Sequence, residues 1–205
     1  MKTIKLLSVS LVLAAVVAIA LPAATPAATW TADPPHTKVN FSVRHFFTPV
    51  NGSFEEWDID LQYDPEHPEK STVTVTIDIS SVNTGNEKRD NHLRSGDWFE
   101  VETHPSMTFK STKVEKVSDN KLVAHGLLNI KGHEKQLDLA INLLGTKQIP
   151  EQMQAMLGGS KEVASFEASV SIDRSDFEVG VGFWAETGIV GEKVDITILL
   201  EAHRR

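Results

Sequence analysis

The chain has 205 residues, of which 40% are apolar and 23% charged, an ordinary globular balance with room for one sizeable domain or two small ones. Its 20 basic and 28 acidic side chains give a formal charge of −8, so it lacks the basic footprint that nucleic-acid binding needs. There is no cysteine, which excludes disulfide scaffolds, thiolate metal sites, cysteine nucleophiles and a lipid-modified N-terminal cysteine.

The chain opens with Lys2 and Lys5, an apolar run from Leu6 to Leu21, and the small-residue stretch PAATPAAT. A charged start, an apolar middle and a small-residue exit form the layout of a secretory signal peptide. The apolar run has 16 residues, short of the roughly 20 that span a bilayer core, and Pro22 and Pro26 follow it at once. Residues 1–28 are therefore expected to be a cleaved signal peptide, cut somewhere between Ala20 and Ala28. Residues 29–205 are expected to form one exported domain without a membrane span, periplasmic or secreted. In such a compartment, with no cysteine, the core alone must hold the fold.

From Val39 onward apolar residues recur at every second position. VNFSVRHF sets Val39, Phe41, Val43 and His45 on one face; WDIDLQY does so with Trp57, Ile59, Leu61 and Tyr63. TVTVTIDI presents Val73, Val75, Ile77 and Ile79, and SMTFKS follows with Met107 and Phe109. KLVAHGLLNI, QLDLAINL, SFEASVSI (with Phe166) and VDITILLEA complete eight segments. Period two with β-branched content predicts strands with one buried face. Asp119-Asn120 and Lys131-Gly132-His133 are hairpin turn signals, and Asp64-Pro65 with Pro68 marks a longer loop. No helix long enough for a parallel crossover separates most strands. The expected fold is all-β, an eight-stranded antiparallel barrel, since closure removes sheet edges and leaves an interior able to hold one small ligand. Three segments break the alternation. Residues 85–99 predict a short helix and turn, residues 150–157 a short helix, and residues 174–192 a Gly- and aromatic-rich loop over a barrel mouth.

Catalytic motifs are absent: there is no G-x-S-x-G elbow, no P-loop and no H-E-x-x-H. None of the eight histidines is paired at metal-ligand spacing, so neither a metal nor a cofactor is expected. Two places carry more weight. The alternation puts His45 inward, where an imidazole needs a partner. The polar cluster Arg89-Asp90-Asn91-His92-Leu93-Arg94, just before Trp98-Phe99, is either a capped turn or a set of cationic donors at the end of an apolar cavity.

These residues stand in a recognisable order. Asp33-x-x-His36 leads into FSVRH (41–45) and Gly52-x-Phe54, followed by RDNHLRS (89–95), DWF (97–99) and HPSMTFKST (104–112). GLLNIKG (126–132), IDRSDF (172–177) and ETG (186–188) come after them. The pattern resembles the YceI-like family of exported bacterial proteins over roughly residues 30–202. The resemblance implies a lipocalin-like barrel with a hydrophobic tunnel that binds long-chain isoprenoid lipids, such as polyprenyl phosphates or quinones, in the periplasm. Two places depart from it: Glu178 stands where relatives often carry glycine, which is expected to alter that loop's backbone, and the segment 145–161 is individual.

The expected protein is therefore a non-enzymatic lipid binder. Phe41, Val43, Trp57, Val75, Ile77, Phe109 and Phe166 are expected to line its tunnel. His45, Arg89, His92, Leu93, Arg94, Trp98, Phe99 and Trp184 are expected at the mouth, against the polar head. Two rivals stand beside it: a lipid-modifying hydrolase using His45 or His92 as a base, and a solidly packed barrel acting through its surface. A homodimer is compatible with the exposed loops.

Overall fold

The computed structural model describes residues 27–205. The signal peptide expected over residues 1–28 lies outside the described residues except for its last two positions.

Eleven strands, all paired antiparallel, form one sheet. They are β1 (Ala28–Ala32), β2 (Lys38–His45), β3 (Thr48–Phe54), β4 (Trp57–Tyr63), β5 (Thr72–Asp78), β6 (Val82–Asn83), β7 (Ser106–Ser118), β8 (Lys121–Ile130), β9 (His133–Gln148), β10 (Glu162–Asp173) and β11 (Val190–Arg204). Eight of them close a barrel in the order β1-β4-β5-β7-β8-β9-β10-β11, and pairing of Thr31 with His203 and Ala32 with Ala202 returns β11 to β1. The long β11 is shared. Its last residues hold β1, while Val194 to Leu199 pair with β2 from Val43 to Lys38. Strands β2, β3 and β6 thereby wall the other half of the interior.

The alternation of the sequence becomes the two faces of this wall. Val39, Ile59, Leu61, Val75, Ile77, Phe109, Leu139 and Phe166 are buried in one continuous core, while Asp58, Asp60 and Asp78 on intervening positions stay exposed. At one end Trp30 packs on Tyr63 with ring centroids 5.9 Å apart, and Tyr63 meets Phe166 edge-on at 5.1 Å. Burial raises the Tyr63 phenol above its ordinary value. At the opposite end lie the β2–β3 turn, the β8–β9 turn and the β10–β11 loop. Here too sits α1 (Glu87–Arg94), capped by the Asn86 side chain, which accepts from the Arg89 backbone N–H at 3.1 Å. The helix α2 (Glu151–Gln154) occupies the β9–β10 loop, and α3 (Phe183–Glu186) the β10–β11 loop.

The eight alternating segments correspond to β2, β4, β5 and β7 to β11, but they are not the eight that close the ring: β1 closes it, and β2 continues alongside. Three strands carry no alternation signal. β1 begins in the small-residue stretch and stops before Pro34-Pro35, β3 contains Pro49, Asn51 and Gly52, and β6 has two residues. Turn-forming residues inside β3 mask a strand that its pairing with Phe41 and Val43 of β2 makes obligatory.

Candidate functional site: an apolar column beneath a cationic cleft

The interior is not filled side to side. Three cavities follow one another down the barrel. The upper one, about 100 Å³, lies among Phe41, Val43, Ile77, Trp98, Phe99 and Ile196. The middle one, about 60 Å³, is lined by Val75, Ile77, Phe109 and Ile198, and the lowest, also about 60 Å³, by Val75, Phe166, Ala168 and Leu200. Successive cavities adjoin: Val39, Ile77, Met107, Ile130 and Ile196 line both upper and middle, and Val75, Leu139 and Ile198 both middle and lowest. The lining is almost wholly apolar, so these spaces favour hydrocarbon over water.

The column opens into a cleft of about 380 Å³ at the mouth, with Phe41, Val43, Leu93 and Trp98 common to both. The cleft's character changes abruptly. Arg44, His45, Lys88, Arg89 and His92 line it, and no aspartate or glutamate does. No carboxylate pairs with Arg44, Lys88 or Arg89 among the described residues. Arg89 is aimed by Thr84: its Nε donates to Thr84 Oγ1 at 2.7 Å and its Nη2 to the Thr84 carbonyl at 2.9 Å. Asp90, buried on the next position, accepts from the Thr84 N–H at 3.0 Å and from its hydroxyl at 2.5 Å. The two side chains together fasten α1 to the strand that ends at Asn83.

Aromatic rings close one side of the cleft. His92 meets Trp184 edge-on at 5.0 Å and Trp98 at 6.1 Å. Its Nε2 lies 3.0 Å from Asp97 Oδ2, and that hydrogen bond lowers the Asp97 carboxyl below the ordinary range. Trp98 is 6% exposed and stands at the neck between cleft and column.

Above Trp98 lies the residue that holds the mouth together. Arg174 is 3% exposed, and its guanidinium sits 5.4 Å from the centre of the Trp98 ring. Its Nε donates to the Gly191 carbonyl at 2.9 Å, Nη1 to Val179 at 2.8 Å and to Gly180, and Nη2 to Val190 at 3.1 Å. One side chain thus spans both ends of the β10–β11 loop. Burial pulls its pKa below the ordinary arginine value. Gly180, at φ +60°, lets the loop backbone lie on Trp98, for a Cβ there would fall 2.5 Å from the indole ring.

Of the expected tunnel residues, Phe41, Val43, Val75, Ile77, Phe109 and Phe166 line the column. Trp57 does not: it packs half-buried against the core and borders none of these cavities. His45, Arg89, His92, Leu93, Trp98 and Trp184 border the cleft, and Phe99 borders the upper cavity. Arg94 is elsewhere, donating to the carbonyls of Ser80 at 2.7 Å and Val82 at 2.9 Å. It is a strut on α1, turned from the cleft because five residues along the helix carry it about 140° round from Arg89, toward the chain at Ser80–Val82. His45 is exposed rather than inward, since β2 ends there and the alternation runs out into the mouth. Its ring packs edge-on to Phe46 at 4.9 Å. Glu178 was expected to alter its loop; instead it adopts the left-handed conformation itself, at φ 52° and ψ 34°. Lys131 Nζ donates to its carbonyl at 2.9 Å.

Sequence reasoning missed Arg44, Lys88 and Arg174. Arg44 alternates onto the polar face of β2 and Lys88 looks like any surface lysine, so neither carries a signal. Arg174 sits inside IDRSDF, where a charged residue directly after a buried strand is the available clue. The remaining histidines do not converge. His125 Nδ1 lies 2.6 Å from Asp138 on the neighbouring strand. Asp33, His36 and Glu201 form the one group among the described residues with spacing that a metal would accept, on the barrel wall away from the cleft. There His36 Nδ1 is already bonded to Asp33 at 2.5 Å, and this bond, with Glu201 nearby, raises the imidazole pKa.

A closed antiparallel barrel with an apolar interior reached through one cleft defines a ligand-holding class of fold. The YceI-like domain matches residues 30–202, and the chain belongs to that family. It is 34% identical over 170 residues to a UPF0312 protein of Photorhabdus laumondii, covering 82% of each chain. It is 33% identical over 167 residues to Protein YceI of Escherichia coli O157:H7, covering 81% of each. Among solved structures, Burkholderia cenocepacia BcnA aligns with a TM-score of 0.73 at 26% identity, over 83% of this chain and 98% of that one. A polyisoprenoid binding domain from Saccharophagus degradans shares the fold at a TM-score of 0.62 and 13% identity, over 87% and 99%.

Proposed function

We propose that this protein is an exported carrier, periplasmic or secreted, that holds one long-chain isoprenoid-type lipid with its chain in the column and an anionic head in the cleft. The observation that carries the reading is the change of lining at Trp98: almost wholly apolar below, three cations and no carboxylate above. Each methylene withdrawn from water contributes about 0.8 kcal/mol, so the column supplies affinity without polar contacts. The cations then select the head, favouring a polyprenyl phosphate over an uncharged quinone. The Saccharophagus domain, described as polyisoprenoid binding, supports a lipid of this class. His92, bonded to Asp97 and packed against Trp98 and Trp184, forms part of the wall that would hold the head.

Native mass spectrometry of the protein from its exported fraction, with organic extraction, tests this directly. A discrete added mass that extracts as a polyprenyl chain is the expected result. Bare protein that also refuses prenyl phosphates on titration would sink the reading. Phe41→Asp and Ile77→Asp are expected to abolish uptake, while Thr74→Ser on the outer face leaves it intact. Equal uptake by all three folded variants would place the lipid outside the column.

A further inference from the structure

We propose that the rim of the mouth is a docking surface for an anionic lipid bilayer, a proposal that rests on the carrier reading because a bilayer is where such a lipid resides. Two phenylalanines occupy the whole two-residue turn between β2 and β3. Phe46 is 57% exposed and Phe47 89%. Asn, Asp and Gly are the residues that such turns favour. Phe46 nevertheless takes φ 51°, a conformation that a bulky side chain rarely adopts. Phe46 gains an edge-on contact with His45, but Phe47 is almost fully exposed, so folding buries little of this apolar surface in return for the unfavourable backbone. Strain of this kind concentrates at functional sites.

The second loop at the mouth adds Val181 at 43% and Phe183 at 66% exposure. The two loops present their apolar side chains as one unit, since the Phe46 N–H donates to the Ile189 carbonyl at 2.7 Å. Between them opens the cleft with Arg44, Lys88 and Arg89. The acids nearby include Glu87, Asp97, Glu186 and Glu192, the last close enough to act on the Arg174 guanidinium; none lines the cleft, and Asp97 is bonded to His92. Apolar side chains flanking unpaired cations match the interface of an anionic bilayer, where the rings enter the acyl boundary and the cations meet headgroups. The far end of the barrel exposes Met153 and Met156, but no cation lines the cavity there. Docked by its rim, the protein faces its opening to the membrane, and a lipid passes tail-first without crossing water.

The test is flotation of the purified protein with vesicles of phosphatidylglycerol and phosphatidylcholine in equal parts, and with phosphatidylcholine alone, neither containing prenyl lipid. The wild type is expected to float with the anionic vesicles and to be released by high salt. The double variant Phe47→Glu, Val181→Glu changes only exposed positions and is expected to bind them at least about tenfold more weakly. Its uptake of polyprenyl phosphate from detergent solution should be unchanged, which shows that the barrel is intact. Equal flotation of the two proteins overturns the proposal. So does a dimer in sedimentation that the same substitutions disperse while neither protein binds vesicles, for the rim then meets a second copy. A wild type that docks yet takes up no prenyl lipid leaves the docking surface standing and removes the carrier reading.

Discussion

Replacing Arg174 by methionine keeps a long side chain at the neck and removes every donor that ties the β10–β11 loop down. Four carbonyls lose their partner. Those of Val179 and Gly180 are buried, while those of Val190 and Gly191 are partly open to water. A buried carbonyl left unsatisfied costs about 1–3 kcal/mol, and the two partly exposed ones cost far less. Loss of the contact with Trp98 adds about 1 kcal/mol. Against this stands relief of the desolvated guanidinium, which has no carboxylate in contact, together with the apolar packing that methionine provides. The balance is a loss of about 3 kcal/mol, or roughly 6–12 °C in Tm for a domain of this size. Arg174→Lys keeps the charge but cannot reach four carbonyls at once, so it should fall between the two. Urea unfolding gives the stability, and amide exchange at Val179, Gly180 and Val190 shows whether the loss is local to the mouth. A change below about 1 kcal/mol, with unaltered exchange in that loop, would refute the idea that one guanidinium organises it.

Glu178→Gly is expected to stabilise the protein by about 0.5–1 kcal/mol, because glycine relieves the left-handed strain while losing only an exposed contact with His133; a lower Tm would show that the conformation is not strained. Hydrogen bonding to Asp33 and the charge of Glu201 raise the pKa of His36, and Asp138 with Glu115 raises that of His125. A raised histidine value makes the charged form stabilising in the folded state, so this contribution is full below about pH 6.5 and is lost as pH climbs through the raised values. The double variant His36→Asn, His125→Asn should therefore show a flatter urea midpoint from neutral pH upward; slopes identical to the wild type would remove both groups from the account.

The sequence made the barrel legible because burial on one face writes itself directly into alternation. Val73, Val75 and Ile77 could belong to nothing but a half-buried strand. It failed where tertiary pairing overrides local preference: Pro49 and Gly52 read as turn residues, yet β3 is held extended by β2. The site divides in the same way. Its hydrophobic half followed from period two, with Trp57 misplaced because facing the core is not the same as bordering a cavity. Its polar half depends on where strands end. Arg44 and His45 are on opposite faces by count, yet both reach the cleft because β2 runs out at the mouth. Arg89 and Arg94 share a motif and a helix; only their partners, Thr84 for one and Ser80 with Val82 for the other, set them apart.

The column also sets a length. Val194, Ile196, Ile198 and Leu200 line it from the upper to the lowest cavity. Six residue steps at about 3.3 Å make roughly 20 Å of strand, and a tilt of about 35–45° reduces this to about 15 Å along the barrel axis. An extended isoprene unit adds four backbone bonds of about 1.5 Å in zigzag, or about 5 Å, so three or four units fill the column. Cavities of 60 Å³ leave no cross-section for a chain to double back. Prenyl phosphates of increasing length, each titrated against a displaced fluorescent lipid, should therefore gain affinity steeply over the first units. Each unit gains up to about 4 kcal/mol before ordering costs. Beyond the third or fourth, the gain should level off as further units stay in the cleft or reach solvent. An affinity that rises evenly past that length would mean that the chain binds along a surface with no floor, a geometry in which the stack of Trp30, Tyr63 and Phe166 at the far end would have no bearing on the ligand.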